Sequence, residues 1–331
     1  MWLLHTILAA QSLAVDLHAH PSRFHRANVE RIEVEEIARY LRAGIDVVVC
    51  NISTDTLYRG GYVTRDGKNV ETGNLRAEPG ESWAFTLDRF ERLQATVTAG
   101  MALMVKTPTE ALEARRQGKL ALIAALEGAD GLEGDLEHLR ALHLRGLGLI
   151  QLVHFRANEI GHIQTWPYSP GGLTPFGREV VLESNRLKIV IDLAHANRET
   201  IQDVLTVSGH PVIFSHTGAL ALTKRDRHLG DEEIRAIAAK GGVVGIWPNG
   251  EAVPALRDMV DHIDYVKTLV GIEHVGIGSD LRGMSSYTEG FGEEARFDAI
   301  AKALTERGYS KEDVERVMGG NFVRVWREVT R

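Results

Sequence analysis

Seven side chains able to bind a metal ion or transfer a proton fall at or just after the ends of short apolar runs in this sequence. They are His18, His20, Glu127, His154, His195, His216 and Asp280. His18 and His20 are two residues apart, and side chains at that spacing lie on the same face of a strand. Imidazole and carboxylate groups together suit zinc or a neighbouring divalent metal.

This set is larger than one metal ion requires. A catalytic zinc uses three protein ligands and leaves one position for water, whereas five ligand-type residues serve two ions that share Glu127 as a bridge. Water between two divalent ions ionises near neutral pH and attacks a carbonyl group, and a carboxylate such as Asp280 takes its proton. The predicted chemistry is hydrolysis of an amide, an ester or a lactone.

Taken one at a time, these residues also have ordinary structural explanations. Glu127 in Ala-Leu-Glu-Gly would cap a helix or pair with an arginine, and Asp280 in Gly-Ile-Gly-Ser-Asp would be an N-cap. Each histidine would be a satisfied core residue. The metal-site interpretation depends on their shared position at strand ends. The other histidines, among them His25, His228 and His262, fall mostly in predicted helices or loops and are interpreted as solvated.

The elements that position these residues are eight short runs rich in Val and Ile, each followed by a segment with helical periodicity. The predicted strands are 13–18, 45–51, 121–127, 149–154, 188–194, 211–215, 242–247 and 275–279. The predicted helices are 34–42, 87–106, 109–117, 176–185, 199–207, 231–239, 259–270, 297–307 and a final helix from Ser310 to about Val325. This alternation predicts an α/β fold, a closed (β/α)8 barrel of the TIM type, whose strand ends converge on one face. An open doubly wound sheet uses the same alternation.

Residues 1–331 are predicted to form a single barrel domain, because no segment resembles a linker between two folding units. The stretch at about 53–82 is rich in Gly and Arg and has no clear periodicity. It is interpreted as an irregular excursion over one face of the barrel, in the position of a lid.

Composition excludes several classes of protein. The 331 residues are 44% hydrophobic, which is enough for a large core, and a formal net charge of −7 argues against a nucleic-acid partner. The single cysteine, Cys50, cannot form an internal disulfide. Residues 1–15 are apolar but have no Lys or Arg before the apolar run, and no charge-free window elsewhere is long enough to span a membrane. A cytoplasmic protein is expected, or a secreted one if a signal lies upstream.

With these residues assembled, the sequence resembles the membrane (renal) dipeptidase family of zinc hydrolases, within the amidohydrolase-like barrels. The similarity runs from about Asp16 to the C-terminus. It is carried by the segments 16–20 (Asp-Leu-His-Ala-His), 125–128 (Ala-Leu-Glu-Gly), 152–158, 171–181, 192–195 (Asp-Leu-Ala-His), 214–219 (Phe-Ser-His-Thr-Gly-Ala), 276–280 and 319–322 (Gly-Gly-Asn-Phe).

The resemblance implies a set of metal ligands. His18, His20 and Glu127 would hold one zinc ion, and Glu127, His195 and His216 would hold the other. A carbamylated-lysine bridge, used by other amidohydrolases, is disfavoured because no lysine ends a predicted strand.

The resemblance also implies the roles of three further residues. His154 would steady the substrate carbonyl and its oxyanion, Asp280 would shuttle the proton, and Arg227 would bind the terminal carboxylate of the substrate with its planar fork of donors. Family members often pair through helices, which predicts a homodimer.

Two positions depart from the family pattern. His20 replaces the usual aspartate, so the metal pair is one charge unit more positive. Arg282 stands where a second aspartate is common, and it either favours an acidic substrate side chain or pairs with acidic loop residues.

The leading hypothesis is a metal-dependent dipeptidase acting on a small-molecule dipeptide or similar amide. Its nearest rival is a related amidohydrolase acting on N-acyl amino acids, lactones or cyclic amides. A non-catalytic metal-binding or regulatory relative is the alternative from another class. A phosphate-binding sugar enzyme is disfavoured because Asp280, within the Gly-rich segment 276–283, would repel phosphate.

Overall fold

The computed structural model describes residues 12–25, 29–58, 62–65, 68–71, 77–166 and 168–331. In chain order the strands are β1 (Val15–Ala19), β2 (Val47–Ser53), β3 (Tyr62–Arg65), β4 (Lys68–Glu71), β5 (Ala102–Met104), β6 (Leu120–Glu127), β7 (Leu147–Gln151), β8 (Val190–Asp192), β9 (Ile213–Thr217), β10 (Val243–Ile246) and β11 (Val275–Ile277). The α-helices are α1 (Val34–Arg42), α2 (Glu81–Thr98), α3 (Pro108–Arg116), α4 (Leu136–Leu144), α5 (Pro175–Arg186), α6 (Arg198–Val207), α7 (Asp231–Ala239), α8 (Leu256–Val270), α9 (Phe297–Glu306), α10 (Lys311–Glu315) and α11 (Asn321–Thr330).

Eight of these strands form a parallel barrel in the order β1, β2, β6, β7, β8, β9, β10, β11. At the seam between the last strand and the first, Ala19 and Leu281 form an isolated parallel bridge. The backbone N–H of His20 donates to the Leu281 carbonyl, and that of Asp280 donates to the His18 carbonyl, both at 2.8 Å. The predicted (β/α)8 barrel is confirmed, and each predicted strand overlaps one strand of the barrel.

Between β2 and β7 one helix prediction was wrong and one helix was missed. The predicted helix 87–106 is instead α2, which ends at Thr98, followed by β5, which pairs with the beginning of β6. Gly100 separates the two at a left-handed φ of +90°. Helix α4 was not predicted, although Asp135 caps it by accepting from the Glu137 backbone N–H.

The excursion after β2 has more regular structure than the sequence analysis predicts. A 3-10 helix, Thr54–Tyr58, follows β2 directly, β3 and β4 pair as an antiparallel hairpin, and α2 begins at Glu81. The Asp66-Gly67 dipeptide between the two strands is the turn signal that the sequence offers. Residues 59–61, 66–67 and 72–76 lie outside the described residues. Residues 1–11, most of the apolar segment considered above as a signal or membrane segment, also lie outside them. The role of a lid stays a prediction.

The final helix is interrupted where the prediction has it continuous. A π-helical segment, Arg316–Gly320, separates α10 from α11. Gly319 has a φ of +156°, and a Cβ there would lie 2.3 Å from the Leu13 carbonyl oxygen. A glycine is therefore needed for the chain to pass so close to the start of β1.

The core divides into two hydrophobic clusters according to the alternation of side chains along each strand. Val47 and Val49 belong to a cluster inside the barrel, whose amino end is closed by Phe322 and Trp326 of α11. Val48 belongs to the larger cluster between the strands and the surrounding helices. Packed side chains thus fill the barrel from its amino end and leave the carboxyl end for the site. Within the described chain, no helix is both long and apolar enough to cross a membrane.

Candidate metal centre and active site

The carboxyl ends of the barrel strands surround a cavity of about 330 Å³. The structure brings all seven predicted strand-end residues together here. Those that line the cavity are His20, Glu127, His154, His195 and Asp280, together with Arg227 and Arg282. His18 and His216 are fully buried and lie beside Glu127 at the bottom of the site.

The carboxylate of Glu127, the last residue of β6, is at the centre of the histidine cluster. Its Oε1 atom lies 3.2 Å from His18 Nε2, 3.1 Å from His154 Nε2 and 3.7 Å from His195 Nε2. Its Oε2 atom lies 3.3 Å from His20 Nε2. The Ser53 hydroxyl, at the paired end of β2, donates a 2.5 Å hydrogen bond to Oε2 and fixes the carboxylate plane.

A β-bulge turns His18 toward this centre. Between Asp16 and Ala19, β1 contains one more residue than β2 contains between its paired positions Val48 and Cys50. A bulge of this kind shifts the alternation of side chains along the strand. His18 and His20 therefore both reach Glu127, as the sequence analysis expected from their spacing.

The tautomer of His20 is set by a backbone carbonyl. Its Nδ1 atom lies 3.1 Å from the carbonyl oxygen of Asn51, which can only accept, so Nδ1–H is the donor. The Nε2 atom is thereby directed at Glu127 and at Asp280 Oδ1, which lies 3.6 Å away.

His195 and His216 face each other across the ends of β8 and β9. Their Nε2 atoms are 3.1 Å apart. The Ser215 hydroxyl lies 2.8 Å from Nδ1 of His216 and orients that ring. His195 has a left-handed φ of +71°, which is rare for a non-glycine residue. Such strained backbone conformations occur mainly at functional sites, where they place a side chain in a required position.

Burial and neighbouring charges together decide the charge of the cluster. Burial lowers the pKa of His18, and it lowers the pKa values of His195 and His216 well below their ordinary value. Burial acts in the same sense on His20, but the negative charges of Glu127 and Asp280 outweigh it and raise the pKa of that ring. Burial acts in the opposite sense on Glu127, but the positive field of His154, His20 and His18 outweighs it and holds the pKa of the carboxyl well below its usual range. A carboxylate in its anionic form beside histidines whose pKa values are lowered, here His18, His195 and His216, is the state in which these groups bind metals.

The donor set fits a divalent metal ion. The Nε2 atom of His18 is buried and faces the Glu127 carboxylate at 3.2 Å without a well-directed hydrogen bond in the described chain, so both groups are placed to serve as ligands of one ion. Three overlapping groups have ligand atoms within 4.8 Å of one another: His18, His20 and Asp280; His18, Glu127 and His216; and Glu127, His154 and His195. The centre therefore offers a divalent metal nitrogen and oxygen ligands from several strands.

His154 is held by a carboxylate that the sequence analysis did not identify. Asp55, in the 3-10 helix after β2, is fully buried, and its Oδ1 atom accepts a 2.9 Å hydrogen bond from Nδ1 of His154. The other oxygen of Asp55 accepts from the Phe155 backbone N–H. Nε2 of His154 faces a second carboxylate, that of Glu127, at 3.1 Å, so the ring is held between two carboxylates.

Asp280 overhangs the centre from the loop after β11. Its φ is +47°, and its backbone is tied to the His18 carbonyl at the barrel seam. Burial raises the pKa of its carboxyl to about 7, with the negative charge of Glu127 acting in the same sense. A carboxyl with this pKa takes and returns protons near neutrality.

Arg227 is partly buried in the cavity wall. Its NH1 group donates to the side-chain oxygen of Gln164, and NH2 donates to the His216 carbonyl at 3.4 Å. The guanidinium lies over the Trp247 ring, 5.5 Å from its centroid. It forms no ion pair with any carboxylate of the described residues, although burial lowers its pKa only to about 10 and leaves it charged.

Arg282 is already paired. Its guanidinium binds both oxygens of Glu36, at 3.2 Å each, and the carboxylate of Glu293 at 2.9 Å. The structure thus contains the second of the two arrangements considered from the sequence. A role toward an acidic substrate side chain stays a prediction, and it requires the exposed Glu293 to move away.

Several functional neighbours were missed or misread in the sequence. Ser53, Asp55, Gln164 and Trp247 belong to the site, and no local pattern marks them. His25, interpreted as solvated, lines the cavity and is 8% exposed. His228 and His262, given the same interpretation, are 5% and 2% exposed.

The fold and the centre together define a (β/α)8 barrel with a candidate metal centre at the carboxyl ends of its strands. The sequence profile of the membrane dipeptidase family (peptidase family M19) matches residues 7–331, and the chain belongs to this family. It is 32% identical to dipeptidase tcpJ of Claviceps purpurea over 250 residues, which cover 73% of this chain and 59% of that protein. The chain spans between 52% and 59% of the length of the curated relatives it matches.

Solved structures share the whole fold. The probable dipeptidase PvdM from Pseudomonas aeruginosa superposes with a TM-score of 0.83 at 20% identity, covering 99% of this chain and 98% of that one. A metallopeptidase from Rhodobacter sphaeroides, liganded with a phosphinate mimic of the dipeptide L-Ala-D-Ala, gives 0.82 at 23% identity, with coverage of 96% and 99%. These similarities establish the architecture of the barrel.

Proposed function

We propose that this protein is a dipeptidase that hydrolyses the amide bond of dipeptides with the help of two Zn²⁺ ions. The observation that carries the proposal is the joint presence, in one cavity, of the Glu127 and histidine cluster and of Arg227, whose charge has no carboxylate partner in the described chain. Metal-assisted hydrolysis beside an unpaired cation suits an amide that carries a terminal carboxylate. Relatives named as dipeptidases support the same substrate class.

The ligands divide into two sets that share one residue. His18, His20 and Glu127 would hold one ion, and Glu127, His195 and His216 would hold the other. Glu127 suits the bridging position because its Oε2 atom faces His20 of one set, while its Oε1 atom faces His195 of the other. When bound, the ions would polarise the amide carbonyl and lower the pKa of a water molecule.

Three residues of the chain would then act on the substrate. Arg227 binds the terminal carboxylate and sets the position of the amide. His154, oriented by Asp55, donates from Nε2 to the carbonyl oxygen as negative charge develops on it. Asp280 takes the proton of the attacking water and delivers it to the leaving amine.

The test combines metal content with turnover. We expect two zinc ions per chain by elemental analysis, and release of amino acids from a dipeptide panel of mixed chirality. Removal of the metal by a chelator should abolish turnover, and zinc should restore it. Absence of turnover across the panel with both ions bound would overturn the proposal.

Arg227→Ala separates peptides from the rival substrates. Loss of dipeptide turnover with retained ester turnover would support recognition of a terminal carboxylate. Equal loss of turnover for the dipeptide and the ester would mean that Arg227 does not act by recognising the terminal carboxylate. That outcome would favour a related amidohydrolase whose substrates lack this carboxylate.

His20→Asp tests the departure from the family ligand set. We expect wild type and variant both to hold two ions, with His210→Asp, at the amino end of the barrel, as the control. Binding of one ion or none by wild type, with turnover only in His20→Asp, would contradict the dipeptidase proposal and favour a non-catalytic role.

A further inference from the structure

Gln164 lies beside Arg227 and accepts a hydrogen bond from it. The loop after β7 carries Gln164 back over the strand ends, where Ile163 forms an antiparallel bridge with Ala196. The Gln164 backbone N–H donates to the His195 carbonyl at 2.8 Å. The residue is therefore anchored to the rim of the metal centre.

The orientation of the Gln164 amide is defined by its other end. Its Nε2 donates to the Asp226 carbonyl oxygen at 2.7 Å, and a carbonyl oxygen can only accept. The amide oxygen must then point toward NH1 of Arg227. Both ends of the side chain are used, so the acceptor is held in one place.

A fixed indole ring, that of Trp247, also lies against the guanidinium of Arg227. Trp247 donates from Nε1 to Nε2 of His228 at 3.4 Å. The Nδ1–H of His228 donates to the Thr223 carbonyl at 2.8 Å, which leaves Nε2 of His228 as the acceptor for Trp247. Arg227 thus makes a cation–π contact with the Trp247 ring and a neutral hydrogen bond with the Gln164 amide.

We propose that Gln164 is a positioning residue that holds Arg227 in the orientation in which it binds a substrate carboxylate. The proposal extends the proposed function, since it depends on Arg227 serving as the carboxylate site. The chemical type of residue 164 matters for this role. A carboxylate would orient the guanidinium equally well but would neutralise it, whereas an amide oxygen fixes its direction and leaves its charge for the ligand.

Two variants separate orientation from charge. Gln164→Met keeps the length of the side chain and removes the acceptor. Gln164→Glu keeps an acceptor and supplies a competing negative charge. Gln202→Met, at an exposed position on α6, is the matched control.

The readout is selectivity for a carboxylate, measured in two independent ways on the zinc-loaded protein. The first is kcat and KM for a dipeptide and for the same dipeptide with its carboxylate amidated. The second is equilibrium binding of N-acetylalanine and N-acetylalaninamide by NMR titration, which requires no turnover. A residue needed only for folding would change both ligands of each pair equally.

We expect Gln164→Met to raise KM for the dipeptide about 10-fold with kcat little changed, as for the loss of one hydrogen bond to a charged group. The amidated dipeptide should be unaffected. Gln164→Glu should reduce carboxylate selectivity further, and Gln202→Met should match wild type.

The outcomes distinguish the two proposals. Unchanged selectivity in both Gln164 variants would overturn the role of Gln164 while leaving the dipeptidase proposal intact. Selective binding of N-acetylalanine that is lost in Gln164→Met would support the role of Gln164 even if no dipeptide is cleaved, an outcome that overturns the dipeptidase proposal alone. Absence of carboxylate selectivity in wild type, in both measurements, would overturn the Gln164 proposal.

Discussion

Asp280 shows how a single side chain is adjusted to its place. A Cβ on Gly283 would lie 2.0 Å from Asp280 Oδ1 and 2.9 Å from the His20 ring, so the missing side chain at 283 makes room for the carboxyl. The left-handed backbone at Asp280 directs that carboxyl over the centre. Geometry and burial together thus place a carboxyl group with a pKa of about 7 beside the histidine cluster.

Asp280→Asn should separate proton transfer from binding. The amide has the same shape but cannot take a proton, so we expect kcat to fall by about 10²- to 10⁴-fold with KM little changed. Steady-state kinetics on the zinc-loaded variant measures this effect, and elemental analysis checks that its metal content equals that of wild type. Retained kcat would show that Asp280 does not carry the proton.

The residues that the sequence analysis identified are those with a local signature. Strand-end position and residue type were enough to select His18, Glu127 and Asp280. Asp55 and Gln164 have no such signature, because they matter through partners that are 99 and 63 residues away in the chain. Their roles follow from loop geometry, which apolar periodicity does not encode.

At the scale of elements, alternation predicted the strands but not the bulges in them. The apolar run of β1 is visible in the sequence, whereas the extra residue between Asp16 and Ala19 arises from its pairing with β2. Helix α4 shows the converse, since its cap at Asp135 and its buried Leu139 and Leu142 were readable in the sequence and were overlooked.

Helices α4 and α5 are joined by a carboxylate held by two arginines. Glu183, on α5 and 8% exposed, accepts from Arg140 of α4 at 2.6 Å and from Arg186 at 2.6 and 2.8 Å. These hydrogen bonds, those of Arg186 foremost, lower the pKa of Glu183 from 4.5 to about 2. Because the folded-state pKa is the lower one, the ionised carboxylate stabilises the fold above pH 4.5, and this stabilisation is lost as the pH falls toward 2.

Glu183→Gln should therefore destabilise the protein in a pH-dependent way. We expect a loss of about 1–2 kcal/mol at pH 7 that shrinks between pH 4.5 and pH 2, since the wild-type carboxylate is then being protonated. Urea unfolding across this pH range measures the difference. Glu179→Gln, an exposed position on the same helix, is the control, and a pH-independent difference for Glu183→Gln would contradict the argument.

For the whole molecule, the metal centre should contribute to stability as well as to chemistry. Ligands from the first and last parts of the chain meet there, so an ion that binds them binds the folded state and not the unfolded chain. Free zinc at 100 times its dissociation constant would then add about 2.7 kcal/mol to the free energy of unfolding.

Calorimetry on metal-free protein should show a melting temperature that rises with added zinc. Glu127→Gln, which removes the anionic centre, should show little or none of this rise. An unchanged melting temperature in wild type, with zinc bound by elemental analysis, would mean that the ions sit at the surface rather than in the barrel.

The seam between β1 and β11 determines when the centre can assemble during synthesis of the chain. His18 and His20 are among the first residues of the barrel to leave a ribosome, whereas Asp280, joined to them by the seam, follows some 260 residues later. At ordinary rates of synthesis this interval lasts tens of seconds. During that time the early histidines exist without the carboxyl that completes their site. A ribosome-bound fragment therefore has no complete centre, and under the proposed function hydrolytic competence would arrive only with the last strand.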